Sequence, residues 1–232
     1  MEQQEFRVDS PTAMQTSRRI LLSLATSKKW KVKSLDFVGA FLQGTQIDRE
    51  VIVIPPKDSI KTKDGTKIYW KLLKPLYGLS DASRRWYKRL EEKLIELGCK
   101  KTTLDRAFFT YYDKNGDLGG VIAVHVDDCL YSGSREFQEL VITPILESFN
   151  IGRIEEDLFV YTGWDIAQSS DEITIAQNSY IDKLDLEDLE KITETASNNS
   201  EVMSNNGQTL FRRIVGMISW IAQISKPELS FK

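Results

Sequence analysis

The sequence contains few of the residues that form disulfide frameworks or zinc sites. Among its 232 residues are two cysteines, Cys99 and Cys129, and a single histidine, His125. That set has neither the spacing of a zinc site nor enough cysteines for a disulfide framework, and it favours a reducing, intracellular compartment. A metal site in this chain would therefore use oxygen ligands, for which Mg²⁺ is the first choice.

Long apolar runs are also missing. No segment approaches the roughly 20 consecutive apolar residues that a membrane-spanning helix needs. The polar N-terminus, residues 1–5, is not a secretory signal. With 41% apolar residues, a chain of 232 residues can bury one sizeable core or two small ones. We therefore expect a soluble, globular protein that is not secreted.

Positive and negative charges are segregated along the chain. The net charge is −3, yet residues 57–101 carry thirteen lysines and arginines against six acids, and residues 155–201 carry thirteen acids against two lysines. The densest basic patch, residues 84–89, interleaves its charges with Trp86 and Tyr87. Such a patch can contact a phosphate backbone or stack on a base.

The same basic segment has the spacing of an amphipathic helix, which we predict over residues 80–98. The helical period leaves Arg85, Lys88 and Arg89 on the outward face, where they are either solvated or in contact with phosphates. The apolar stripe that faces the core consists of Trp86, Leu90, Leu94 and Leu97.

Three acids follow apolar runs. Asp127 and Asp128 come directly after residues 122–126, and Asp36 follows residues 32–35. Converging carboxylates repel one another, so they either take up protons or bind a cation. Two alternatives stay open, since Asp-Asp also suits a two-residue hairpin turn and Asp36 alone could cap the next segment. Turn signals favour a three-stranded meander with the acid pair at its tip, formed by Ala107–Tyr112, Val121–Val126 and Cys129–Ser132.

Periodicity and turn residues predict the remaining elements. Ser10 and Pro11 have the pattern of an N-cap and first helical residue, opening a helix that ends near Lys28. Pro144 should kink a helix over residues 136–149. The other predicted elements are strands over 31–36, 50–54 and 68–73, a helical turn over 39–43, a charged turn over 61–67, a hairpin of strands 158–167 and 172–177, and helices over 179–186 and 210–224.

Six short motifs carry a resemblance to a known family. They are Ser-Arg-Arg-Ile-Leu-Leu (17–22), Leu-Asp-Phe-Val-Gly-Ala-Phe-Leu (35–42), Leu-Tyr-Gly-Leu (76–79) with Arg-Trp-Tyr (85–87), Val-Asp-Asp (126–128), Tyr-Thr-Gly-Trp (161–164) and Pro-Glu-Leu-Ser-Phe (227–231). In this order they resemble the reverse transcriptase of copia-type LTR retrotransposons over nearly the whole chain. The resemblance implies an α+β right-hand polymerase palm, an antiparallel sheet with helices on one face, with partial fingers and a rudimentary thumb or connection.

The resemblance also implies roles for single residues. Asp36 matches the acid of the first polymerase motif, and Asp127 with Asp128 match the paired acids of the third, so that the three would hold two Mg²⁺ ions, with Mn²⁺ as a substitute. Phe41 matches an aromatic gate against a ribose 2′-hydroxyl, although by itself it is an ordinary core aromatic. The other positions are Tyr77, where retroviral relatives have a glutamine against the nucleotide, Gly78 of the second motif, and Gly163 and Trp164 in a hairpin like the primer grip.

Alternatives and departures accompany these assignments. Gly78 alone is typical of a turn, and Trp164 suits packing as well as a primer contact. His125 stands where the family usually has an aromatic residue. The family's basic finger strands would lie before Met1, so we expect a fragment, in which charge alone suggests substitutes for them at Lys57, Lys61, Lys63, Lys71 and Lys74.

The expected organisation follows the family. Residues 1–135 would form partial fingers and palm with the catalytic motifs, 136–186 the rest of the palm with the grip-like hairpin and the start of the thumb, 187–208 a flexible acidic and polar linker, and 209–232 the start of a thumb or connection helix. RNase H and integrase regions would lie elsewhere in the parent polyprotein. The expected location is the cytoplasm, a virus-like particle or the nucleus.

Three functions fit this sequence. The first is template-directed DNA synthesis from RNA or DNA, with template-primer and deoxynucleotides as partners. The second is a catalytically incompetent or host-retained remnant that binds nucleic acid or a partner. The third is a metal-dependent nucleotidyltransferase or cyclase on the same topology, which the second motif and the grip-like hairpin disfavour.

Overall fold

The computed structural model describes residues 8–56, 68–184 and 205–231, except for the side chains of residues 206 and 231. The chain divides into two compact units, Met1–Glu156 and Asp157–Lys232. Among the helices in the described residues, none is long and apolar enough to cross a membrane. The charged turn predicted over residues 61–67, together with Lys57, and residues 187–204 of the predicted linker lie outside the described residues.

A six-stranded antiparallel sheet forms the framework of the first unit. Its strand order is β4-β5-β6-β7-β1-β8, and every neighbouring pair is antiparallel. The predicted meander is confirmed as its centre, and the predicted α+β class is confirmed by the sheet and its helices. The strands are β1 (Val32–Phe37), β4 (Lys100–Lys101), β5 (Phe108–Tyr112), β6 (Leu118–His125), β7 (Asp128–Gly133) and β8 (Ile151–Glu156). A separate two-stranded ribbon pairs β2 (Ile52–Val53) with β3 (Trp70–Lys71).

The helices of the first unit bury apolar side chains against this sheet. Trp86 is fully buried, and its ring lies edge-on to Phe37 at 4.9 Å and to Phe149 at 5.4 Å between centroids. The alternation of strand side chains places Leu35 and Phe37 on the same face of the sheet. The helical elements are α1 (Gln15–Lys28), a 3₁₀ turn (Ala40–Gln43), α2 (Ala82–Glu96), α3 (Arg135–Phe137), a π turn (Gln138–Ile142) and α4 (Thr143–Ser148).

Helix α1 begins later than the sequence predicted. The N-cap is Met14, not Ser10, because the preceding residues bind the rest of the unit. The amide of Ala13 donates to the carbonyl oxygen of Val124 at 2.7 Å, and the amide of Met14 donates to Oδ2 of Asp105 at 2.7 Å. A helix that began at Ser10 and Pro11 would use the amides of Ala13 and Met14 within its own first turns. Here both amides donate to other parts of the unit instead, so the helix begins after them.

The helix predicted over residues 136–149 is irregular one turn before its proline. Residues Gln138–Ile142 form a π turn between α3 and α4, and Pro144 occupies the first turn of α4. Proline has no amide hydrogen to donate to a preceding carbonyl. The hydroxyl of Thr143 donates to the carbonyl oxygen of Gln138 at 3.0 Å, so that this carbonyl is satisfied within the wider turn.

The second unit contains a three-stranded antiparallel sheet and a long helix. The strand predicted over residues 158–167 is wrong as a single strand, since the chain reverses at Thr162 and Gly163. Both residues have positive φ, +46° and +81°, as a tight hairpin turn requires. The elements are β9 (Leu158–Tyr161), β10 (Trp164–Gln168), β11 (Ile173–Ala176), α5 (Asn178–Ile181), α6 (Asn205–Ile224) and a 3₁₀ turn (Pro227–Phe231).

Candidate active site

Three acids distant in sequence meet at one end of the six-stranded sheet. In the antiparallel register, Asp36 of β1 stands directly opposite Asp128 of β7, and Asp128 stands opposite His125 of β6. Residues opposite each other on antiparallel strands project to the same face. Asp127 lies in the turn that joins β6 to β7. The sheet therefore brings together the acids that the first and third motifs supply.

The turn that carries the acid pair has an unusual backbone. Val126 has a φ of +57°, which is an outlier for a β-branched residue and a position that glycine normally takes in a two-residue hairpin. Two hydrogen bonds hold this conformation. The indole nitrogen of Trp86 donates to the carbonyl oxygen of Val126 at 2.7 Å, and the amide of Phe37 donates to the carbonyl oxygen of Asp127 at 2.9 Å. Strained turns of this kind occur at functional sites when their surroundings fix them.

The pKa of Asp128 is affected by the charges of the other two acids. Burial first, and then the charges of Asp127 and Asp36, raise the pKa of Asp128 to about 6, while Arg153 acts in the opposite direction. The three carboxylates thus repel one another across the end of the sheet. A cation placed among them would be attracted by all three.

His125 contributes no positive charge to offset the acids at neutral pH. Burial and the nearby charge of Arg18 hold the pKa of the imidazole below its ordinary value, against an opposing effect of Asp127. Its Nδ1 is buried without a hydrogen-bond partner among the described residues. The imidazole is therefore neutral at physiological pH.

The chemistry of the three side chains suits Mg²⁺, because carboxylate oxygens are the ligands that this hard cation prefers. Their side-chain positions form no closed cage, since the described residues contain no group of three or more metal-ligating side chains. Around Asp36 the register of β1 and β8 shifts by one residue, so that Gly152 and Arg153 both face it. The carboxylate of Asp36 lies against Gly152, where a Cβ would be 2.2 Å from its Oδ2.

Phe41 and Tyr77, both predicted to contact the nucleotide, contact each other. Their ring centroids are 4.7 Å apart and the ring planes are inclined by 34°. Phe41 lies in the 3₁₀ turn that follows β1, whereas Tyr77 lies in the turn before α2 and is 52% exposed. Gly78 has a φ of +98° with open space around it, so its backbone conformation requires glycine.

The prediction that Arg85 faces outward is wrong. Its side chain is only 13% exposed, and its Nε donates to Oδ2 of Asp81 at 2.7 Å. The same guanidinium donates to the carboxylate of Asp48 and to the carbonyl oxygen of Gln46. Acids on the preceding loop and at the start of α2, which helical periodicity does not consider, draw it inward.

Lys88 and Arg89 are exposed, as predicted. The guanidinium of Arg89 lies 5.8 Å from the centroid of the Phe149 ring, which holds its stem near the sheet. Of the lysines that charge alone suggested, Lys71 pairs with Glu50 at 3.1 Å on the β2–β3 ribbon. The basic surface of α2 is therefore formed by Lys88 and Arg89 without Arg85.

Gly163 and Trp164 lie side by side in the hairpin of the second unit, Gly163 in its turn and Trp164 at the start of β10. Trp164 is fully buried, so that packing, the alternative left open for it, is the correct interpretation of its side chain. Gly163 occupies the turn, and a Cβ there would lie 3.6 Å from the indole of Trp220. The predicted contact of Gly163 with nucleic acid stays a prediction.

Sequence reasoning missed two features of the first unit. Asp81 is buried and accepts a bidentate pair of hydrogen bonds from Arg49, at 2.7 and 2.9 Å, in addition to that from Arg85. The Arg49 bond, above all, lowers the pKa of Asp81 to about 2. Gly152 was also missed, because a lone glycine carries no signal until the neighbouring strand is known.

Comparison with known proteins decides the family. Residues 2–203 match the family described as reverse transcriptase (RNA-dependent DNA polymerase). The chain belongs to this reverse transcriptase family. The resemblance predicted from the six motifs is thereby confirmed, including its copia type, since the relatives are transposon polyproteins.

Three relatives illustrate the relationship. The retrovirus-related Pol polyprotein from transposon RE1 of Arabidopsis thaliana is 27% identical over 232 residues, covering 96% of this chain and 15% of the relative. The corresponding RE2 protein is 26% identical and covers 96% and 16%. That from transposon TNT 1-94 of Nicotiana tabacum is 32% identical over 125 residues, covering 53% of this chain and 9% of the relative. The chain thus spans about a sixth of the length of the Arabidopsis relatives.

Proposed function

We propose that this chain carries out template-directed DNA synthesis on an RNA or DNA template, with Asp36, Asp127 and Asp128 as the ligands of two Mg²⁺ ions. The observation that carries the proposal is the register that sets Asp36 opposite Asp128, with Asp127 in the adjoining turn. When bound, such ions activate the primer 3′-hydroxyl and offset the charge of the triphosphate. Mn²⁺ would serve as a substitute.

The role of the chain's own residues is mainly to position these groups. The hydrogen bonds from Trp86 and Phe37 fix the peptide groups on both sides of Asp127. This rigidity aims the two carboxylates without requiring the turn to reorganise during the reaction. The pKa of Asp128, half-buried beside its neighbours, is raised to about 6, so a proton and a cation would compete for its carboxylate below neutral pH.

Nucleotide and template contacts follow from the surfaces around the acids. The Phe41 ring, supported by Tyr77, would exclude a ribose 2′-hydroxyl and so favour deoxynucleotides. Open space at Gly78 leaves room for template or nucleotide. Lys88 and Arg89 would neutralise backbone phosphates. In this scheme the six-stranded sheet and α2–α4 form the palm, the β2–β3 ribbon belongs to partial fingers, and α6 belongs to the thumb or connection.

The relatives are Pol polyproteins, and this chain covers a small part of each. We therefore place its partners in the same polyprotein, where RNase H and integrase regions would supply degradation of the template and insertion of the product. Template-primer and deoxynucleotides would be the substrates of this chain itself.

Primer extension tests the proposal. The purified chain is incubated with oligo-dT annealed to poly-A, dTTP and either Mg²⁺ or Mn²⁺, and the products are separated by length. We expect extension by the native chain and none by Asp127→Asn, which keeps the size of the side chain but removes its charge. Asp117→Asn, at an exposed turn of the same meander, is the matched control and should extend normally.

A second outcome would favour the remnant. The native chain would then bind labelled primer-template yet leave it unextended, as would Asp127→Asn. The absence of a closed carboxylate cage among the described residues is the observation that supports this alternative. Adding the finger segment of a relative in front of the chain separates the two cases, because restored extension would show that the acids are competent.

A further inference from the structure

Gly152 lies in the β-bulge opposite Asp36 and leaves the space between the two strands open. A Cβ at this position would lie 2.2 Å from Oδ2 of Asp36 and 2.8 Å from Cγ2 of Val38, distances that real Cβ contacts essentially never show. The carboxylate of Asp36 therefore occupies a place that only glycine permits. Bulges beside active sites commonly change the direction of a neighbouring side chain.

In its position against Gly152, the carboxylate of Asp36 is not grouped with the other two acids as the ligands of one metal ion would be. The backbones of Asp36 and Asp128 are directly opposite each other, yet among the described residues no three metal-ligating side chains are grouped closely enough to hold an ion. The backbone is thus in register for a metal site while the Asp36 carboxylate is turned toward β8. Rotation about its own side-chain bonds would bring it to the acid pair.

Charge repulsion explains why the open space is used. Asp36 stands directly opposite Asp128 in the register of β1 and β7, and Asp127 precedes Asp128 in the chain, so three like charges meet at this end of the sheet. A carboxylate that can rotate away from two like charges lowers the energy of the group. A divalent cation reverses the preference, because it attracts all three oxygen donors.

We propose that Gly152 is a positioning residue that gives the carboxylate of Asp36 a second position, apart from the one in which it binds the cation. This inference rests on the proposed function of the three acids. Molecules with Asp36 against Gly152 lack one metal ligand, so the apparent dissociation constant equals the intrinsic one divided by the competent fraction. Filling the space at residue 152 removes the second position and tightens metal binding.

The substitution Gly152→Ala tests this directly. Gly152 does not have a positive φ, and the atoms that a Cβ would meet are the ends of the Asp36 and Val38 side chains. Only those ends need to move, so we expect the urea midpoint to change little. Free Mn²⁺ is measured by electron paramagnetic resonance during titration of the native chain and the variant. If the second position holds about nine-tenths of molecules, the dissociation constant should fall roughly tenfold.

Two comparisons make the experiment specific. In an Asp36→Asn background, Gly152→Ala should leave Mn²⁺ binding unchanged, since the side chain that it acts through no longer has a charge. Gly216→Ala introduces the same methyl group into open space on α6 and should also have no effect.

The outcomes separate the inference from the function on which it rests. Tighter binding that depends on Asp36 supports the role of Gly152. Unchanged or weaker binding by Gly152→Ala, with normal binding by the native chain, overturns that role alone. A native chain whose Mn²⁺ binding does not change in Asp127→Asn overturns the metal site and the inference together.

Discussion

The indole nitrogen of Trp86 donates a hydrogen bond of 2.7 Å to the carbonyl oxygen of Val126, the residue with a positive φ in the turn before the acid pair. The bond connects α2 to the tip of the meander across the core. Trp86 is itself fixed by edge-on contacts with the rings of Phe37 and Phe149. Trp86, which follows the predicted second motif, thereby holds the backbone of the turn that carries the acids of the predicted third motif.

Replacing Trp86 by Phe should loosen this turn. The substitution keeps an aromatic ring in the core. It removes the hydrogen-bond donor of the Val126 carbonyl and creates a small cavity beside Phe37. We expect the free energy of unfolding to fall by about 2 kcal/mol and Mn²⁺ binding to weaken in parallel, as measured by urea denaturation and by metal titration. Trp70→Phe, on the partly exposed β3, should leave both unchanged. Full metal affinity in Trp86→Phe would contradict a role in positioning the acids.

Local patterns were sufficient to predict much of this framework. The period of Trp86, Leu90 and Leu94 gave α2 its buried stripe, and the turn residues around the acid pair gave the meander its strands. What they could not give were contacts between distant segments. The start of α1 depends on a donor-acceptor pair with Val124, and Arg85 is drawn inward by Asp81 and Asp48.

The tip of the second-unit hairpin shows a different limit. Apolar residues lie on both sides of Thr162 and Gly163, consecutively over 158–161 and again at Trp164 and Ile166, so the sequence reads as one continuous strand. Only the positive φ of both residues distinguishes a tight turn. At the candidate active site, the three acids could be predicted from their motifs. The bulge at Gly152 could not, because it arises from the pairing of β1 with β8.

The negative charge of Asp128 should make the folded protein less stable at neutral pH than a protein with an uncharged side chain at this position. The folded state raises its pKa from 3.8 to about 6, first through burial and then through Asp127 and Asp36. The unfolded chain releases this proton at lower pH, so the stabilising effect of the protonated form is complete below pH 4 and is lost as the pH rises through about 6. We expect Asp128→Asn to raise the urea midpoint at pH 7 in the presence of a chelator.

The advantage of Asp128→Asn over the native chain should shrink when the same measurement is made at pH 4, where the native carboxyl is largely protonated in the folded state. Asp117→Asn should show little difference at either pH, because its side chain is exposed. An Asp128→Asn protein less stable than the native chain at pH 7 would mean that the carboxylate makes a favourable contact that outweighs the repulsion.

Asp81 should have the opposite effect on stability. Its carboxylate is almost fully buried and receives hydrogen bonds from both Arg49 and Arg85. Replacement by Asn removes the charge that both guanidinium groups share, and we expect the free energy of unfolding to fall by about 3 kcal/mol. The bond from Arg49, first of all, lowers the pKa of Asp81 to about 2, so this stabilisation is present at neutral pH and is lost as the pH falls from about 4 toward 2.

The other acid that contacts Arg85 provides the control. Asp48 is 76% exposed, so Asp48→Asn should lower the free energy of unfolding much less than Asp81→Asn does. Equal losses for the two variants, measured by urea denaturation at pH 7, would show that the buried position of Asp81 adds nothing to the network.

The contact between Phe41 and Tyr77 predicts that sugar selectivity depends on both rings. In a primer-extension assay, Phe41→Val removes the gate itself and should raise the ratio of ribonucleotide to deoxynucleotide incorporation by at least roughly tenfold. Tyr77→Leu removes the ring that lies 4.7 Å from that of Phe41, between centroids, and should raise the ratio less, because the gate remains but can turn. Tyr69→Leu, which changes a tyrosine of similar exposure outside this contact, is the control. An unchanged ratio in Phe41→Val would remove the gate assignment, whereas an unchanged ratio in Tyr77→Leu alone would show that Phe41 needs no support.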